Sequence, residues 1–164
     1  MNMLKNLNAT KKGLLSGTVM ISLSLIFFYT GQPFESPLQY LIYIVYAAGI
    51  IWTLKEFTVS ENNSNKFSAF FLEGFKCFIV VTLLMVVFTF VFNTMHPEFK
   101  DEMAVTYRSD LIKQGNRTAT EIAGDIENMR AQYLTMLISG AIFGYLLIGA
   151  IITAGSTLLF MKRK

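Results

Sequence analysis

The side chains best suited to chemistry stand together in the stretch NTMHPEFKDE, residues 93–102. It holds the chain's single histidine, His96, and the carboxylates of Glu98, Asp101 and Glu102 follow closely. Imidazole and carboxylate groups can bind zinc or transfer protons, but a metal site needs several ligands that converge on one point. The sequence has no second histidine and only one cysteine. We therefore expect no metal site and no cofactor in this protein.

The same residues fit the start of a helix at the end of an apolar segment. Pro97 suits the first turn of a helix and disfavours helical geometry in the residue before it. The acids that follow would lie at the positive end of the helix dipole, which favours negative charge. Because this interpretation needs no ligand, we prefer it to a metal or catalytic site.

The composition indicates a membrane protein. The chain has 164 residues, of which 53% are hydrophobic and only 15% charged, and its mean hydropathy is +0.47. Soluble domains have about 45–50% apolar and about 25% charged residues. The formal net charge of +3 is small, and no basic patch is interleaved with aromatic residues, so we expect no nucleic-acid partner.

Four stretches approach the ~20 apolar residues that a helix needs to cross a bilayer. They cover about residues 14–30, 38–54, 77–95 and 135–161. The first resembles a signal peptide, but FFYTGQP after it offers no small-residue cleavage site, so we expect it to be retained. The predicted fold is all-α, a single membrane domain over residues 1–164 with four transmembrane helices.

The distribution of basic residues predicts the orientation, because Lys and Arg are enriched in cytoplasmic loops. Nine basic residues belong to the N-terminal tail, the second connection and the C-terminus: Lys5, Lys11, Lys12, Lys55, Lys66, Lys76, Lys162, Arg163 and Lys164. The first connection, GQPFESP, has none, and the third balances five basic residues with seven acids. Both termini are therefore predicted to be cytoplasmic, with residues 96–134 on the other side of the membrane.

Residues 96–134 are predicted to form an extracytoplasmic helical hairpin between the third and fourth transmembrane helices. Apolar residues recur at helical spacing in two stripes: Phe99, Met103, Tyr107 and Leu111, then Ile122, Ile126, Met129 and Tyr133. Gly115 supplies a helix stop between them. Thr118 and Glu121 then have the spacing of a capping box, which starts the second helix. We expect the two stripes to pair.

An ionisable pair stands at the predicted cytoplasmic end of the third span. Glu73 and Lys76 are three residues apart and therefore share a helix face. The simpler interpretation is an interfacial ion pair that fixes the depth of the helix. A partner-docking or proton-relay role is the alternative, since ionisable groups near a membrane core are often functional.

Small residues and tyrosines within the spans are candidates for helix packing and for polar contacts. The glycines at four-residue spacing are Gly13, Gly17, Gly140 and Gly144, and they would let helices approach closely within the bundle or in a complex. Tyr46 and Tyr145 are expected near mid-depth, where each hydroxyl needs a hydrogen-bond partner. A lipid or isoprenoid pocket lined by these tyrosines is the alternative.

The order of these motifs resembles that of a known family. GLLSG opens the first span, YLIYIVYAAGIIWTLK forms the second, and FSAFFLEGFKCFI leads into a third that NTMHPEF closes. With GFK at 74–76 and the terminal FMKRK, these motifs resemble a family of small four-helix bacterial inner-membrane proteins catalogued as a domain of unknown function. The resemblance extends over about residues 12–162. It implies a bacterial inner-membrane location and supplies no catalytic or binding residues.

Two functions remain open. The first is a non-enzymatic accessory or interaction subunit of a bacterial inner-membrane assembly, surrounded by membrane lipids, with a membrane or periplasmic protein or a second copy as its partner. The second is a lipid- or polyprenyl-binding protein with a pocket between spans two and four. An enzyme would have to use the hairpin carboxylates, since the chain has no P-loop, HExxH or GxSxG motif.

Overall fold

The computed structural model describes residues 7–31, 37–60 and 66–162. All regular structure in these ranges is helical, without strands, which confirms the predicted all-α class. The helices are α1 (Ala9–Tyr29), α2 (Tyr40–Thr58, preceded by the 3-10 turn Pro37–Gln39), α3 (Phe67–Met95), α4 (Glu98–Gln114) and α5 (Ala119–Lys162).

Four of these helices, α1, α2, α3 and α5, are long and apolar enough to cross a membrane, and they contain the four predicted spans. This is compatible with a multi-pass membrane protein. Helices α3 and α5 have 29 and 44 residues. At 1.5 Å per residue, α5 is about 66 Å long, roughly twice the ~30 Å of a hydrocarbon layer. The helix α5 therefore begins several turns before its apolar segment.

The predicted helix ends around α4 are confirmed. Pro97 caps the N-terminus of α4, and Gly115, at φ 67°, ends it in the left-handed conformation. At the start of α5, the Thr118 N–H donates to the Glu121 carboxylate at 2.7 Å, and the Glu121 N–H donates to the Thr118 hydroxyl at 3.3 Å. The Thr118 N–H lowers the pKa of Glu121 below its usual range, and the Thr118 hydroxyl adds to this effect.

Contacts along the backbone divide the chain into two compact units. The first unit comprises 1–86 and 142–164, which contain α1, α2, most of α3 and the C-terminal part of α5. The second unit comprises 87–141, with the end of α3, all of α4 and the first part of α5.

Glycines allow the helices of the first unit to approach closely. A Cβ atom added to Gly49 of α2 would overlap Ser16 of α1. One added to Gly149 of α5 would overlap the hydroxyl of Tyr46 and lie 2.8 Å from Cγ of Phe78. Side chains from α1, α2 and α3 thus occupy the space that these glycines leave free.

The glycines with four-residue spacing have two different environments. A Cβ added to Gly13 would lie 2.5 Å from the carbonyl oxygen of Cys77, and one added to Gly17 would lie 2.6 Å from Leu84, so both glycines lie against α3. Around Gly140 and Gly144, no other atom of the described chain lies within 4 Å of such a Cβ. The same sequence spacing therefore places one pair in a helix contact and leaves the other pair open.

A further close approach joins α3 and α5 at Gly74. The side chain of Thr153 fills the space beside this glycine and is fully buried. Within the described residues, the hydroxyls of Thr153 and Thr157 have no hydrogen-bond partner. Their burial shows how tightly this part of α5 is packed.

We expect the substitution Gly149→Ala to destabilise the first unit by about 1–3 kcal/mol, because the new methyl group overpacks the contact with Tyr46 and Phe78. Gly155→Ala, six residues later on the same helix, is the matched control, since its Cβ would meet nothing within 4 Å. Denaturant unfolding in detergent measures both variants. Equal midpoints for the two would contradict the packing described here.

Candidate functional site

A buried ion pair joins α1 and α2 at one end of the first unit. Lys12 is only 3% exposed, and its Nζ lies 2.5 Å from Glu56 Oε2. Trp52 donates from its indole N–H to Glu56 Oε1 at 2.7 Å, and the Lys12 ammonium lies 5.4 Å from the centre of the Trp52 ring. We call Lys12, Trp52 and Glu56 the Lys12 cluster.

Helix geometry explains why these two charges need each other. Lys12 lies in the first turn of α1, near the positive end of the helix dipole, and Glu56 lies near the negative end of α2. Each charge is therefore unfavourable on its own helix. Burying an unpaired ammonium also costs several kcal/mol, so the ion pair offsets both penalties.

A polar cavity of 810 Å³ adjoins the Lys12 cluster. Its polar lining residues are Asn8, Lys12, Thr53, Glu56, Ser60 and Glu73. Glu73 thus shares the cavity with the Lys12 cluster and also contacts Lys76, whose Nζ lies 2.5 Å from Glu73 Oε1. The cavity is thus lined by an ammonium, two carboxylates and two hydroxyls, and both carboxylates are already paired with lysines.

The Lys12 cluster was not predicted from the sequence. There, Lys12 was only one of the basic residues beside the first span, and nothing singled out Glu56. A usable signal was present, because both charges lie one turn inside a helix end and both oppose the helix dipole. Pairing α1 with α2 through a short connection would then bring the two ends together.

The two candidate tyrosines contact each other. Tyr46 is fully buried, and its hydroxyl donates to the backbone carbonyl of Tyr145 at 2.8 Å. The two rings meet edge to face, with centroids 5.7 Å apart. The Tyr46 side chain therefore fills the space between α2 and α5 beside Tyr145. A lipid pocket lined by both tyrosines would need this space to be empty.

A small cavity of 210 Å³ does lie elsewhere between the same helices. Its lining residues are Ile51, Ser156, Leu159 and Phe160. Neither Tyr46 nor Tyr145 lines this cavity.

In the second unit, His96 is part of an aromatic cluster. Its ring centroid lies 4.7 Å from that of Phe92 and 5.7 Å from that of Phe99, and its Nδ1 lies 2.7 Å from Glu98 Oε1. The Glu98 backbone N–H at the helix start lowers the pKa of the Glu98 carboxyl, and His96 adds to this effect. In the described ranges, His, Cys, Asp and Glu side chains do not form a group of three that could hold a metal.

Polar contacts connect α4 and the end of α3 to α5. Asp101 Oδ1 lies 3.0 Å from the Arg130 guanidinium, and the Tyr133 hydroxyl donates to Asn93 Oδ1 at 2.9 Å. Asp101 therefore binds an arginine, while Glu98 contacts the histidine.

The predicted apolar stripe of α4 is largely present, because Leu111 is buried and Phe99 and Tyr107 are half-buried, and only Met103 departs from it. Ala104 and Leu111 are buried on this helix, while Met103 is 50% exposed. Ile122 on α5 is buried as predicted.

A double-mutant cycle tests the Lys12 cluster. We expect Lys12→Met and Glu56→Gln to destabilise the protein singly by a few kcal/mol and to show a coupling energy of about 1–3 kcal/mol, because either change alone leaves a poorly paired polar group. Unfolding midpoints in detergent measure all four proteins.

The pair Glu73–Lys76 provides the matched control, because the Lys76 side chain is 45% exposed. We expect Glu73→Gln and Lys76→Met to show a coupling below about 1 kcal/mol, as solvent screens an exposed pair. Equal coupling in both cycles would contradict a special role for the buried pair.

Comparison with known proteins places the chain in a family. The model of a family described as "Protein of unknown function (DUF4199)" matches residues 11–162, which include the Lys12 cluster, Glu73, and Tyr46 with Tyr145. No curated protein and no solved structure matches the chain. The match confirms the resemblance to a domain of unknown function seen in the sequence. This protein therefore belongs to the DUF4199 family.

Proposed function

We propose that this protein is a non-enzymatic integral membrane subunit of a bacterial inner-membrane assembly, and that its second unit contacts a partner outside the bilayer. The four apolar helices support the membrane placement. Large apolar side chains such as Ile44, Phe143 and Leu147 are exposed on them, as expected for surfaces in contact with lipid.

The exposed face of α4 is the observation that carries the partner proposal. Val105 is 69% and Ile112 58% exposed, and their seven-residue spacing puts them on one helix face. Arg108 is exposed between them. Apolar side chains around an arginine are typical of the centre of a protein interface. The buried Ala104 and Leu111 lie about 100° away around the helix, so Val105 and Ile112 are outside the face that packs α4.

The orientation follows from the distribution of charge. The end of the first unit that carries Lys12, Lys55 and Lys76 has the basic excess of a cytoplasmic surface, whereas α4 lies in the segment that balances five basic residues with seven acids. We therefore place both termini in the cytoplasm and α4 in the periplasm. The partner is a membrane or periplasmic protein, or a second copy of this chain.

The contacts of the ionisable groups support a non-enzymatic role. In the part of the chain that the structure describes, the close ionisable groups form ion pairs, as in Lys12–Glu56 and Asp101–Arg130, or a helix cap, as at Glu121. Each has a structural role in the contact that it makes.

Site-specific photo-crosslinking in intact cells tests the partner proposal. A photoreactive residue at position 112 should give one discrete protein adduct, while the same residue at Phe143 should label lipid. We expect Val105→Asp to lower the adduct yield from position 112 at least about tenfold, because a loss of ~1.4 kcal/mol at an interface weakens binding by that factor.

Thr106→Asp is the matched control. Thr106 is exposed on the same helix, and its substitution adds the same negative charge as Val105→Asp. No discrete adduct from position 112, or an equal loss in both aspartate variants, would contradict a contact surface at Val105 and Ile112. Adducts that contain only this chain would identify a second copy as the partner.

A further inference from the structure

An apolar groove lies between α4 and α5 in the second unit. Its volume is 410 Å³. The apolar part of its lining consists of Met103, Tyr107, Met129, Tyr133, Met136 and Leu137. Three polar residues, Asp125, Asn128 and Gln132, complete the lining. The lining therefore changes from polar to apolar along α5, from Asp125 towards Leu137.

A second, polar pocket of 480 Å³ adjoins the groove. It is lined by Asn116, Arg117, Glu121, Gly124, Asp125 and Asn128, so it shares Asp125 and Asn128 with the groove. The two spaces thus lie side by side, and one is mainly apolar and the other mainly polar.

We propose that this pair of pockets binds a membrane lipid, with one hydrocarbon chain in the groove and the head in the polar pocket. The part of the lining on α5 from Met129 to Leu137 rises about 12 Å along the helix. This is comparable with the ~15 Å that a lipid chain spans in one leaflet. Methionines suit such a ligand because their flexible side chains adapt to an irregular, unbranched chain.

The position of the groove on α5 favours a lipid as the occupant. Met136 and Leu137 lie at the start of the predicted fourth span, and Met136 is exposed, so a chain could enter from the bilayer without crossing water. The lining also has the same order of polar and apolar groups as a lipid at a membrane surface. This step rests on the membrane placement given under the proposed function.

The lining of the polar pocket carries one basic side chain, Arg117, and two acidic ones, Glu121 and Asp125, which disfavours an anionic head. Arg117 and Asp125 form an ion pair with each other, and Glu121 accepts hydrogen bonds from Thr118. The amides of Asn116 and Asn128 in this pocket then offer both donors and acceptors. A zwitterionic or hydroxylated head fits these groups better than a net anion does.

Lipid photolabelling tests the groove. The full-length protein is placed in nanodiscs of phosphatidylcholine that contain a phosphatidylcholine with a diazirine near the end of one acyl chain. Mass spectrometry should find the label on Met103 and Met129 of the groove and also on the lipid-facing Phe143. We expect Met103→Trp to reduce labelling of Met129 at least about fivefold, because a filled groove no longer buries several methylenes of the chain.

Ser109→Trp is the matched control, since Ser109 is exposed on α4 and does not line the groove. It should leave the labelling of Met129 unchanged, and neither variant should change that of Phe143. Label on Phe143 without label on Met129, or equal labelling of Met129 in both variants, would overturn the lipid site alone. A lack of label at Phe143 as well would overturn the membrane placement and the lipid site with it.

Discussion

The structure depends on one constraint, which is that hydrocarbon offers no partner to a polar group and no hydrophobic force to join helices. In such a solvent, helices associate through close packing and through a few internal polar contacts. The first unit shows both devices, with Ser16 and Tyr46 in the spaces left by Gly49 and Gly149. The Tyr46 hydroxyl donates to a backbone carbonyl of α5. This hydrogen bond and the space beside Gly149 thus help to hold α2 against α5 in the first unit.

The same constraint explains the Lys12 cluster. A charge one turn inside a helix end can remain there only with a partner, and Glu56 is that partner for Lys12. The indole of Trp52 contacts both charges, so the cluster joins α1 and α2 at an end where basic residues are concentrated. Glu73 extends this polar region across the adjoining cavity to α3.

Local features were predictable from the sequence, and tertiary contacts were not. The four apolar segments, the stop at Gly115 and the cap of Thr118 with Glu121 depend on residues within a few positions of each other, so spacing alone predicts them. Gly13 and Gly140 have identical spacing motifs, yet only the first lies against a neighbouring helix, because the difference is set by other segments. For the same reason the sequence indicates the pair Glu73–Lys76 within one helix and misses Lys12–Glu56, whose members lie on two helices.

The proposed function requires that Asn116, in the turn after α4, lies in the periplasm and that Ser60, after α2, lies in the cytoplasm. Labelling of single cysteines with a membrane-impermeant maleimide in intact cells tests this most directly, in a Cys77→Ser background because Cys77 is the only native cysteine. We predict that Asn116→Cys, in the turn after α4, reacts in intact cells, while Ser60→Cys, after α2, reacts only once the cells are broken. Reaction of Ser60→Cys but not of Asn116→Cys in intact cells would contradict this arrangement.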